Sequence, residues 1–204
     1  MVALDSAARA PSQIRFNSSL LLIAGGLLGG ICAAGLPLAM LGTTYEGWSL
    51  ASRATDEFSG LLFLMAFLAA PLARLFPNSL ANHLQIDRRH LAYGFAAAYA
   101  ICLATAAFAV AGEGQRFGLP QAAGIAIQFG VLIAMIVARG PAHTAALWFF
   151  WLAYTFAYAA HFSGPHIADY SFGIGLLLLL GALFIRFASA LKATWNRQLA
   201  EKVG

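Results

Sequence analysis

Long apolar stretches alternate with short polar ones along this chain, at a spacing that matches the thickness of a lipid bilayer. A helix needs roughly 20 predominantly apolar residues to cross the hydrocarbon core. Six stretches free of charge, save Arg74 next to the end of the second, approach that length: Ser18 to Leu41, Phe58 to Leu75, Leu91 to Ala111, Gln121 to Ala138, Ala145 to Phe162 and Tyr170 to Ile185. The second and the fourth to sixth are short, which fits a thin bilayer, little tilt, or helices that extend into their flanks. Turn-forming residues punctuate the divisions: Pro77-Asn78, Gly118-Leu119-Pro120, Gly140-Pro141 and Ser163-Gly164-Pro165. The pattern predicts an all-α integral membrane bundle of about six transmembrane helices. It has a polar tail over residues 1–17, a transmembrane domain over 18–186 and an amphipathic segment over 187–204.

Within the first stretch Gly25, Gly26, Gly29 and Gly30 form a doubled small-xxx-small pattern, which lets helix backbones approach closely. It serves either packing inside the chain or a homodimer through the Gly25–Gly30 face, and packing inside the chain is the preferred reading. Beyond the sixth stretch Phe187, Leu191, Trp195 and Leu199 recur at a spacing of four, with Arg186, Lys192, Arg197 and Lys202 off that stripe. Such a helix end suits an anionic membrane surface, although simple anchoring by snorkelling cations explains it equally.

Composition confirms the solvent. Of the 204 residues 61% are hydrophobic and only 10% charged, where a water-soluble surface needs about a quarter charged. Mean hydropathy is +0.76. The net charge of +4 is not a nucleic-acid footprint, because the cations sit in the short segments between apolar runs. With six crossings, one side holds Arg9, Arg15, Arg74, Arg88, Arg89, Arg139, Arg186, Lys192, Arg197 and Lys202, against Arg53 and Arg116 on the other. Ten against two places both tails in the cytoplasm. The first stretch exceeds the apolar core of about 7–15 residues of a secretory signal, so it reads as an uncleaved helix.

No acid or base falls in the middle of a stretch, which argues against proton pumps, ion-coupled carriers and voltage sensors. Neither a nucleotide-binding loop nor a hydrolase motif is visible. Cys32 and Cys102 lie singly inside apolar runs and offer no disulfide or metal pair. The chemistry therefore rests on His83, His90, His143, His161 and His166. Neutral imidazole is the usual axial ligand of haem iron in membrane electron carriers. His90 and His143 fall at the cytoplasmic side, where two rings can meet, and His161 falls at the outer side. His143 and His161 are 18 residues apart (161 − 143), which is five helical turns, or roughly 27 Å along one face if the helix reaches back to His143. The aromatic run Trp148, Phe149, Phe150, Trp151, Tyr154, Phe156 and Tyr158 suits the border of a porphyrin or a quinone, but ordinary interface histidines and a packed or lipid-facing helix explain the same residues without a cofactor.

Two segments carry a resemblance. Phe58-Ser59-Gly60-Leu61-Leu62 through Ala70-Pro71-Leu72-Ala73-Arg74-Leu75, followed by Asp87-Arg88-Arg89-His90-Leu91-Ala92-Tyr93, resembles the ferric-reductase-like transmembrane family. It is most similar to the bacterial haem-binding membrane subunit of the periplasmic methionine sulfoxide reductase system. The likeness covers Phe58 to about Ala111 and is loose from Ala145 to Phe187. It implies six spans in a bacterial inner membrane and haem b as cofactor, with electrons passed from a quinone or flavoprotein donor to a periplasmic acceptor protein. The resemblance also departs from its pattern. The family's haem-ligating histidine on the third helix has Cys102 as its counterpart here, and of two on the fifth helix only the second is matched, by His161, the first falling near Trp148. Haem-iron ligands would then be His161, His143 and His90, and a haem-free membrane scaffold or assembly protein of the same fold is the alternative.

Overall fold

The computed structural model describes residues 11–112, 118–162 and 170–203. They form six helices, α1 (Pro11–Leu41), α2 (Tyr45–Leu75), α3 (Ser79–Gly112), α4 (Leu119–Val137), α5 (Pro141–Phe162) and α6 (Tyr170–Val203). Each expected stretch lies in its own helix, and no strand occurs among the described residues. The expected all-α class is therefore the observed one.

The helices are longer than the apolar stretches. α2 begins at Tyr45 instead of Phe58, and α3 at Ser79 instead of Leu91. Freedom from charge marks where a helix enters lipid; helical hydrogen bonding continues through Arg53, Asp56 and Glu57, which Arg53 and Glu57 support as an ion pair one turn apart. α6 runs unbroken for 34 residues, roughly 51 Å, so the stripe of Phe187, Leu191, Trp195 and Leu199 is the exposed end of the sixth helix and not a separate element. Among the described residues α1, α2, α3 and α6 are long and apolar enough to cross a membrane. The apolar part of α4 is shorter, at Ala122–Val137. α5 is diluted by the polar atoms of His143, Thr144, Trp148, Trp151, Tyr154, Thr155 and Tyr158.

Local chemistry sets the helix ends. Gly42 takes a left-handed φ of 69° after α1, and Thr44 then caps α2 by accepting from the Gly47 N–H at 3.1 Å. The Asn78 side chain accepts from the Ala81 N–H at 2.8 Å to open α3. Pro120 opens α4, and Gly140 (φ 64°) ends the link into α5.

The chain divides into two compact units, and the division falls within α2 and α3. Unit 1 comprises residues up to Leu62 together with Arg89–Arg116. Its α1 and α3 backbones approach glycine on glycine: a Cβ on Gly26 would run into the Gly94 backbone, and one on Gly94 would lie 2.8 Å from the Leu22 carbonyl oxygen. Gly29 receives the Phe58 ring and Gly30 the α3 backbone at Ala98, whereas Gly25 faces open space. Three of the four glycines of the small-residue motif are thus used inside the chain. Trp48 stacks on Phe108 at 4.7 Å. Thr55 and Thr105 meet across α2 and α3 at 3.3 Å, each already within reach of a carbonyl one turn back, Ala51 at 2.8 Å and Ile101 at 3.1 Å. Because each hydroxyl keeps that local acceptor, Thr105→Val is expected to cost under about 1 kcal/mol, read as a small shift of the thermal midpoint in detergent.

Unit 2 holds Phe63–Arg88 and the chain from Phe117 onward. α4 packs on α5 and α5 on α6. The Trp151 indole donates to the Leu179 carbonyl at 3.0 Å, and the Tyr158 ring occupies the space a side chain at Gly175 would need. Phe63, Phe67, Met135 and Phe150 are fully buried at its centre. Pro71 lies inside α2 and lacks the N–H that would bond the Phe67 carbonyl four residues back. Arg186 of α6 supplies a donor in its place, with Nη1 3.5 Å from that oxygen. Lys192, further along α6, donates to the last carbonyls of α2, Arg74 at 3.0 Å and Leu75 at 3.4 Å.

Candidate functional site

The histidines expected to hold iron fall into separate settings. His143 lies on the first turn of α5 and is buried, with Nδ1 2.9 Å from the Met135 carbonyl oxygen. Met135 is among the last residues of α4, whose terminal carbonyls have no helical partner, so the imidazole caps a helix end. A carbonyl oxygen only accepts, hence Nδ1 carries the proton and, in the neutral ring, Nε2 is the free lone pair. This is also how a metal-bound histidine is commonly oriented.

His90 is half-exposed in α3, its ring 6.1 Å edge-on from Tyr93. It belongs to unit 1 and His143 to unit 2, so neither unit alone provides the two-histidine site that the sequence allowed. His83 is exposed on the first turns of α3. The backbone of α5 is continuous from His143 to His161, which fulfils the condition for placing both on one helix about 27 Å apart. The His161 side chain lies outside the described residues, as does His166 altogether. Among the described residues no group of three or more His, Cys, Asp or Glu side chains is arranged to hold a metal ion.

Cys102 and Trp148, at or near the two positions where the resemblance calls for a histidine that this chain lacks, are both packed. Cys102 is buried in unit 1, its thiol 3.6 Å from the Ser52 carbonyl and 3.9 Å from Asp56 Oδ1. It serves as a weak donor in a polar nest that also includes Tyr99. The sequence marked Cys102 as the counterpart of the family's haem ligand and as a buried structural cysteine, but not its polar partners; Asp56, just before the second apolar stretch, was the signal for the nest. Trp148 stands edge-on to Phe67 at 5.3 Å and to Trp151 at 5.7 Å, and the Arg186 guanidinium lies over both Phe67 (4.1 Å) and Trp148 (4.9 Å). Phe63 continues the array to Phe67 (5.4 Å) and to Tyr154 (5.5 Å). The aromatic run of α5 is thus packed around Trp148, Phe150, Trp151, Tyr154 and Tyr158, with a cation on Trp148, while Phe156 is exposed.

Helices of this length and apolarity define the class: a multi-pass, all-α membrane protein. Comparison with protein-family models, with curated proteins and with solved structures finds no match. The ferric-reductase-like reading accordingly rests on the motifs from Phe58 to about Ala111 and the looser likeness from Ala145 to Phe187.

Proposed function

We propose that this chain is a haem-free membrane scaffold or assembly protein, built on a bundle that resembles the ferric-reductase-like family without its prosthetic group. The observation that carries this reading is the housing of Cys102 and Trp148, which stand at or near two of the three positions where that family keeps histidine, His161 matching the third. The thiol is engaged by Ser52 and Asp56, and the indole is fixed by Phe67, Trp151 and Arg186.

The second reading is a membrane subunit of an oxidoreductase, with haem b held by His90, His143 or His161. One observation favours it: the ring of His143 is oriented by a backbone carbonyl, leaving Nε2 as a lone-pair donor. In that reading the chain holds and tunes the haem, while a quinone or flavoprotein and an acceptor protein supply and take the electrons.

An absorbance scan of the detergent-purified protein, oxidised and then dithionite-reduced, separates the two. A featureless visible spectrum is expected. A Soret band with a sharp reduced alpha band, lost in His143→Ala or His161→Ala, would establish the electron carrier instead.

A further inference from the structure

We propose that the cavity between the carboxyl end of α2 and α6 in unit 2 is a binding site for a phosphate group, most naturally the headgroup of an anionic phospholipid. The cavity measures about 400 Å³. Arg74, Arg88 and Arg186 line it together with Thr144, Trp148 and Ser189, and no carboxylate does among the described residues. Three guanidinium groups gathered without a counter-charge repel one another, and an anion between them relieves that repulsion. Guanidinium is also the side chain best matched to phosphate, through paired N–H donors. Arg186 is held in place by the Phe67 and Trp148 rings, so little ordering is required when a ligand arrives.

The second observation is independent of charge. Ser189 is 2% exposed, and its hydroxyl has no hydrogen-bond partner. A buried hydroxyl left unpaired is costly, and buried polar groups are nearly always satisfied. This one lines the arginine cavity, where a phosphate oxygen would accept its proton.

The level of the site within the helices favours a lipid. Arg74 is next to the last residue of α2, and Arg186 follows the apolar run Leu176 to Ile185 of α6. That is the depth at which apolar chain gives way to headgroup. Leu183 and Phe187 continue the lining in apolar form, and Phe187 is exposed, as a path for an acyl chain requires. The site stands whether or not the bundle carries haem.

The test uses the full chain, delipidated in neutral detergent and titrated with phosphatidylglycerol, with phosphatidylcholine and with inorganic phosphate, followed by native mass spectrometry and thermal midpoint. One tightly held phosphatidylglycerol is expected, with phosphatidylcholine weaker by roughly tenfold or more. Arg74→Gln with Arg88→Gln, both exposed positions, is expected to weaken binding at least tenfold while leaving the lipid-free midpoint no lower, because removing two like charges relieves their repulsion. Ser189→Ala is expected to raise the lipid-free midpoint, because it removes the unpaired hydroxyl, and yet to weaken binding several-fold. Inorganic phosphate that stabilises the protein and competes with the lipid would assign the site to free phosphate and support the phosphate chemistry. Binding of neither probe, or phosphatidylglycerol binding that the arginine and serine variants leave unchanged, would overturn the proposal.

Discussion

Gly26→Val is expected to destabilise the protein by about 3 kcal/mol, while Gly25→Val one position away costs close to nothing. The difference lies in what a side chain meets. At Gly26 the first added carbon collides with the main chain of Gly94, and main chain cannot rotate aside as a side-chain tip can. The two helices must move apart, and the contacts of Gly30 with Ala98 and of Gly29 with Phe58 loosen with them. At Gly25 nothing lies within 4 Å. In lipid this matters more than in water, because no hydrophobic gain drives one helix against another and close packing supplies most of the association energy. Unfolding of the two variants in mixed micelles, followed by tryptophan fluorescence, gives the comparison. Equal midpoints for both would show that α1 does not depend on the Gly26–Gly94 approach.

That approach was half legible in the sequence. The paired glycines announced a close helix contact, but which of the four would be used depends on helix rotation, and the partner Gly94 carries no pattern of its own. The six helices were legible because apolar length is a one-dimensional signal. Their true starts at Tyr45 and Ser79 were not, because lipid contact and helical hydrogen bonding end at different residues. The departures from the family pattern at Cys102 and Trp148 stood in the sequence; what fills those places did not. Arg186 is the clearest case. Read along the chain it is one cation of a topology signal, and only the fold sets it beside a carbonyl 119 positions earlier that Pro71 has stripped of its helical donor. Ser189 gave no signal at all, since a lone serine in a helix becomes informative only once it is buried without a partner.

Phe67→Ala is expected to cost roughly 2–4 kcal/mol, about 1 kcal/mol less than removing a buried phenylalanine costs in a water-soluble core. Lipid takes up apolar surface as readily as the protein interior does, so the transfer share of that cost largely vanishes, and the cavity share remains. Phe67 is 1% exposed and touches the rings of Phe63 and Trp148, so neighbouring side chains have little freedom to collapse into the gap. The ring also carries the Arg186 guanidinium at 4.1 Å. Phe67→Leu separates the two contributions: it restores most of the volume but no aromatic face, and should retain a loss of about 1 kcal/mol from the cation–π contact alone. In Arg186→Met, which has no charge to lose, the Leu variant should cost less than it does beside arginine. A double-mutant cycle on detergent-unfolding midpoints measures that coupling, and a coupling of zero would mean that Arg186 is held by its carbonyl bond and the Trp148 ring without help from Phe67.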